Sequence, residues 1–141
     1  MPDNDTRWKQ RLTNFKQAHS LLSELYSRDL GELNIYERES YIHRFTMTFD
    51  LAWKTLADYL QYSGLEIPVK SPRSVIKEAF AAGILQDGDA FIDMLQARNL
   101  LTHIYDEVMA NAYLVKIKTD YLPPLTALTA FIENQIRERE D

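Results

Sequence analysis

The chain is 141 residues long, 45% hydrophobic and 26% charged, with 16 basic against 21 acidic side chains and a net charge of −5. That length suffices for one domain with a sizeable core, and the acidic balance excludes a broad nucleic-acid-coating surface, leaving only a small local basic site or one completed by a second chain. The absence of cysteine excludes disulfides, thiolate metal sites and cysteine nucleophiles, and it suits a reducing cytoplasm.

Met1 to Lys9 is too polar to be a signal peptide, and no window approaches the roughly 20 apolar residues of a membrane helix. Glycines and prolines are few and fall between long periodic segments, a pattern that predicts an all-α protein. A first helix is expected from about Asp5 to Arg28, with Trp8, Leu12, Phe15, Leu22, Leu25 and Tyr26 as its apolar stripe. A turn at Gly31 leads to a second helix from about Tyr36 to Tyr62. Its face runs Tyr41, Ile42, Phe45, Phe49, Ala52, Trp53, Leu56, Tyr59 and Leu60 at three-and-four spacing. Gly64 and Pro68 end it.

Ser71-Pro72 is a helix start, because Ser71 can cap the orphan amides and Pro72 has no amide to leave unpaired. The short helix that follows points Val75, Ile76, Ala79 and Phe80 inward and stops at Gly83. After Asp87-Gly88-Asp89 a fourth helix is expected from Ala90 to Tyr105, and Asp106-Glu107 suits the start of a fifth. Pro123-Pro124 must break or bend the chain, and Leu125 to about Arg137 forms the last helix. No repeat or linker interrupts this order, so residues 1–141 read as a single helical domain.

The stretch carrying chemistry is Arg98-Asn99-Leu100-Leu101-Thr102-His103-Ile104-Tyr105. At about 100° per residue, Arg98, Asn99, Thr102, His103, Tyr105 and Asp106 fill one broad sector of the helix. One turn earlier the same sector holds Phe91, Ile92, Met94 and Leu95. A solvated face would not switch from apolar to concentrated polar residues in this way. The pattern suits a pocket mouth, or an interface with an apolar centre and a polar end; Phe91, Met94 and Leu95 are the expected dimer contact.

Histidine can move a proton near neutral pH, a guanidinium can hold phosphate by paired hydrogen bonds, and Asn99 can orient the histidine or bind a ribose or phosphate oxygen. Together they suit metal-independent RNA cleavage, in which a base takes the ribose 2′-hydroxyl proton and cations stabilise the charge developing at phosphorus. The same residues also admit a structural role, with Arg98 paired to Asp93 or Asp106 and His103 capping a carbonyl. His19 and His43 lack comparable polar company and read as surface or interface residues. Asp87 and Asp89 read as capping residues. No spacing matches a metal-ligand set or a glycine-rich phosphate loop, so neither a metal nor a bound cofactor is expected.

The segment RNLLTHIYDE resembles the Arg-x-x-x-x-His-x-Tyr signature of HEPN domains, in particular the HepT-like toxins. RWKQRLTNFKQAHSLL, RFTMTFDLAWKTLADYLQYSGL, SPRSVIKEAFAAGIL and DMLQARNLLTHIYDE, in that order, resemble the nucleotidyltransferase substrate-binding protein family across almost the whole chain. The resemblance implies an antiparallel up-and-down helical bundle, a homodimer and a separately encoded minimal nucleotidyltransferase as partner. It further implies Arg98 and His103 as catalytic residues of an RNase, Asn99 as their support, and Tyr105 as the residue the partner adenylylates to silence the toxin.

Three functions follow: a toxin-like RNase neutralised by its transferase, a non-catalytic subunit holding substrate or nucleotide for that transferase, and a helical adaptor. The Arg-His-Tyr combination favours the first and the acidic charge the second. The expected partners are the transferase, a second copy and RNA, with neither DNA nor a membrane.

Overall fold

Asn34 opens the longest helix of the protein. Its side chain accepts a hydrogen bond from the Glu37 amide at 2.8 Å, and the Glu37 carboxylate accepts one from the Asn34 amide at 3.0 Å. This reciprocal cap satisfies two donors that a helix start would otherwise leave orphaned. The computed structural model describes residues 2–67, 70–102 and 106–140. Its helices are α1 (Pro2–Ser23), α2 (Ile35–Tyr62), α3 (Pro72–Ala81), α4 (Gly88–Leu101), α5 (Glu107–Lys116) and α6 (Leu122–Glu140), with no strand among the described residues.

α2 is the axis of the bundle. Tyr41, Ile42, Phe45, Phe49, Ala52, Leu56, Tyr59 and Leu60 are buried on it, as their spacing predicts, while Trp53 is half-buried. α1 runs antiparallel to α2, tied by Arg11–Asp58 at 2.8 Å near one end and Arg44–Glu24 at 2.7 Å near the other. α6 runs alongside α2 in the same sense, with Phe45 stacked on Tyr121 and Tyr59 edge-on to Phe131. The core is continuous from Phe15 and Leu22 on α1 through Phe45 and Phe49 to Met94 on α4 and Leu125 on α6.

The differences from the expected boundaries have local causes. α1 stops at Ser23 and tightens into a 3-10 turn at Glu24–Ser27, which turns Leu25 into the core and leaves Tyr26 46% exposed. Phe80 also stands out, 54% exposed instead of inward. Its ring lies over Gly88, where even a methyl group would come within 2.9 Å of it. Gly64 and Gly83 end their segments with φ of 90° and 78°, the left-handed region open to glycine. Pro68 lies outside the described residues.

The two prolines do not break the chain, which stays helical from Glu107 to Glu140. Pro123 and Pro124 fall in the first turn of α6, where missing amides cost little. The turn before them, Ile117–Tyr121, widens to π geometry and joins α5 to α6. No helix among the described residues is long and apolar enough to cross a membrane.

Candidate functional site

α4 delivers the polar residues. Asp87 caps its start by accepting a hydrogen bond from the Ala90 amide at 3.0 Å, a structural role matching the sequence reading. Phe91, Met94 and Leu95 are only 2%, 0% and 7% exposed. They pack inside this chain, so they cannot present the apolar contact expected of them; the switch in the helix sector marks the end of the chain's own core.

The helix ends at Leu101, short of Tyr105. The Thr102 hydroxyl donates to the Asn99 carbonyl at 2.8 Å and ties off the last turn. Asp106 is extended (φ −124°, ψ 128°) and caps α5 through the Val108 amide. A residue committed to capping the next helix cannot sit in the interior of the preceding one. His103 and Tyr105 lie outside the described residues.

Arg98, one turn beyond Met94, emerges against α2. Its Nη2 donates to Asp50 Oδ2 at 3.2 Å. Its Nε lies 3.1 Å from Asp50 Oδ1, a charge contact whose angle falls short of a hydrogen bond to that buried oxygen. Nη1 donates to Asn99 Oδ1 at 3.0 Å. Three of the five guanidinium N–H groups are thereby directed at protein partners, and two on the terminal nitrogens are left over. Arg98 pairs with neither Asp93 nor Asp106. Asp93 instead accepts from Tyr121 Oη at 2.6 Å and Lys116 Nζ at 3.3 Å. That contact and burial, with burial the larger cause, push the Tyr121 phenol well above its ordinary range.

Asp50 is the site residue that sequence reading missed. It is the sole carboxylate of α2 between Glu39 and Asp58, set in the otherwise uncharged run FTMTFDLAW. That isolation was its one signal, and nothing local pointed to a partner 48 residues away. The ion pair joins the two helices at the seam where α4 runs antiparallel to α2.

Beyond the pair the seam opens into a groove of about 530 Å³ lined by Tyr36, Glu39, Ser40, Ile42, His43, Thr46, Leu101 and Thr102. His43 is therefore exposed, as expected, but in polar company. His19 also has partners. Its Nε2 shares a hydrogen bond with Thr126 Oγ1 at 2.9 Å. Burial, outweighing the opposing pull of Glu133, holds its pKa below the ordinary histidine value.

A roomier hollow of about 880 Å³ lies between α4 and the π turn, but its charged lining is Asp87, Asp89, Asp93 and Asp120, with no basic side chain. That lining repels phosphate. Among the described residues no three His or carboxylate groups gather closely enough to hold a metal.

A single-domain-sized helical bundle with an arginine-centred polar seam beside its fourth helix is the class of protein that this geometry defines. Residues 10–134 match the family model described as nucleotidyltransferase substrate binding protein like, and the chain belongs to that family. A crystal structure of a protein from Thermus thermophilus is similar, with 31% identity, a TM-score of 0.70, and coverage of 87% of this chain and 98% of that one. No curated protein matches the chain.

Proposed function

We propose that this chain is the toxin-like half of a two-component system: a metal-independent ribonuclease of HEPN type, acting in the cytoplasm as a homodimer and held silent by a minimal nucleotidyltransferase. Membership of the family supports a nucleotidyltransferase as partner. The observation that supports the chemistry is Arg98, anchored on one side by Asp50 and Asn99 with two N–H groups left over at an open seam. An arginine held in this way can take up a phosphate without first being ordered.

In the proposed reaction His103 takes the 2′-hydroxyl proton of a ribose. The freed oxygen bonds to the adjacent phosphorus, the bond from phosphorus to the 5′-oxygen breaks, and that oxygen takes up a proton. A 2′,3′-cyclic phosphate and a 5′-hydroxyl result. Arg98 stabilises the phosphorane charge, and Asn99 supports the guanidinium through its carbonyl oxygen. Tyr105 is the residue the transferase adenylylates.

The test is expression of this chain alone and together with its neighbouring transferase. Growth arrest that the transferase relieves is the expected result. The second reading, a subunit that binds substrate or nucleotide without cutting, is favoured by the net charge of −5 and by the family's description. Tight association with the transferase and no arrest would select it.

A further inference from the structure

The hollow between α4 and the π turn combines an apolar wall with unbalanced negative charge. On α6, Leu125, Leu128 and Ile132 form the stripe buried in the core. Pro124, Ala127 and Phe131 recur at the same three-and-four spacing and line the hollow. The helix thus carries a second apolar stripe that the chain leaves only partly covered. Asp87 and Asp89 from the start of α4 and Asp120 from the π turn line the same hollow. Asp93, the fourth carboxylate, is balanced by Lys116 at 3.3 Å. Among the described residues no ion pair offsets the other three. Thr119 lines the hollow too, and its carbonyl has no donor four or five residues on, because Pro123 and Pro124 carry no amide.

An apolar wall with uncompensated acceptors suits cationic donors set among apolar groups. RNA phosphate is repelled. A second copy docked about a two-fold axis would set this patch against itself and bring like charges together. The exposed Phe80 ring, lying over Gly88 between Asp87 and Asp89, adds an aromatic side chain of the kind that protein interfaces favour. A different protein with a basic face is the occupant that fits.

We infer that the hollow is the docking surface for the nucleotidyltransferase, and that it receives a segment carrying lysine or arginine among apolar side chains. The inference rests on the reading that a nucleotidyltransferase is this chain's partner. Its basic side chains meet Asp89, Asp120 and the Thr119 carbonyl, and its apolar ones meet Ala127 and Phe131. Asp89 and Arg98 lie nine residues apart on α4, about 14 Å of helix, so docking here does not consume the guanidinium.

The experiment is titration calorimetry of the full chain against the neighbouring transferase, with each variant shown to be folded by its melt. Asp89→Lys with Asp120→Lys is expected to weaken association about 100-fold, and Asp89→Asn with Asp120→Asn about tenfold. Ala127→Arg, at an exposed helix position, should abolish association by filling the hollow. Glu32→Lys with Glu138→Lys makes the same charge change on exposed residues outside the hollow, and should alter affinity by less than about threefold. Unchanged affinity in the folded Asp89→Lys, Asp120→Lys protein, or an equal loss in the Glu32→Lys, Glu138→Lys protein, overturns the inference. So does a changed oligomeric state by light scattering with affinity for the transferase retained, which assigns the hollow to a second copy. No association between the wild-type chain and the transferase refutes the partner reading beneath it, and the two failures are thereby told apart.

Discussion

The Arg98 guanidinium lies side-on against the Asp50 carboxylate, Nε at 3.1 Å from Oδ1 and Nη2 at 3.2 Å from Oδ2, and so fixes the end of α4 to the middle of α2. Both side chains are about one-third exposed, 33% and 32%. Solvent screening then limits the pair to about 1 kcal/mol of stability. Its larger effect is on orientation: Asp50 occupies one edge of the guanidinium and leaves terminal N–H groups for a ligand.

Asp50→Ala is therefore expected to lower kcat for RNA cleavage by about 100-fold, the scale of loss that follows from misplacing a reacting group, with a smaller change in KM. Asp50→Asn, which keeps the shape and one acceptor, should recover part of that loss and strengthen RNA binding by leaving Arg98 uncompensated. Rate and binding measurements at a temperature where all proteins are folded check this. A fall in rate no greater than the fall in folded fraction would reduce Asp50 to a structural residue.

The proposed homodimer needs a surface other than the buried Phe91, Met94 and Leu95. Val108 and Val115, one heptad apart on α5, are 78% and 49% exposed. If the homodimer uses them, Val108→Asp with Val115→Asp should give a folded monomer by light scattering. Met94→Asp should lose the fold itself, since an unpaired charge in the core costs several kcal/mol. A double variant that remains dimeric would place the contact elsewhere.

The transferase partnership makes a covalent prediction. Incubation with the transferase and ATP should add one adenylyl group to Tyr105, and the added negative phosphate should occupy Arg98 and block RNA. Peptide mass spectrometry checks the position. Modification confined to other residues would contradict the assignment.

The helices were legible in the sequence because their three-and-four spacing is a local signal. Asn34, Ser71, Asp87 and Asp106 each cap a helix start through an amide within three residues. What escaped was tertiary. The pairing of Asp50 with Arg98 and of His19 with Thr126 joins residues 48 and 107 positions apart. Likewise, the apolar residues of the α4 sector look alike in sequence whether they meet a second copy or the chain's own α2. Asp106 was legible as the start of the next helix, and it caps α5 through the Val108 amide.

His19 gives the fold a pH dependence. Because burial holds its folded pKa below the unfolded value of about 6.5, the unfolded chain takes up the proton first as pH falls. The stability due to neutral His19 is fully present above about pH 6.5, the unfolded value, and is lost as pH falls from there through the lower folded pKa. His19→Gln, which can still bond Thr126 but does not titrate, should flatten the melting-temperature profile between about pH 7 and 5. An unchanged slope in the variant would assign the dependence to other groups.

The proposed chemistry is tested most directly by cleavage of RNA by the purified protein, comparing wild type with Arg98→Ala, Arg98→Lys and His103→Ala, each with and without EDTA and each shown to be folded by its melt. Wild type should cut and leave cyclic phosphate ends, unaffected by chelator. His103→Ala and Arg98→Ala should be inactive, and Arg98→Lys should recover little, because an ammonium cannot reproduce a two-pronged contact with phosphate. Undiminished cleavage by a folded His103→Ala protein, or activity that EDTA abolishes, would contradict the account.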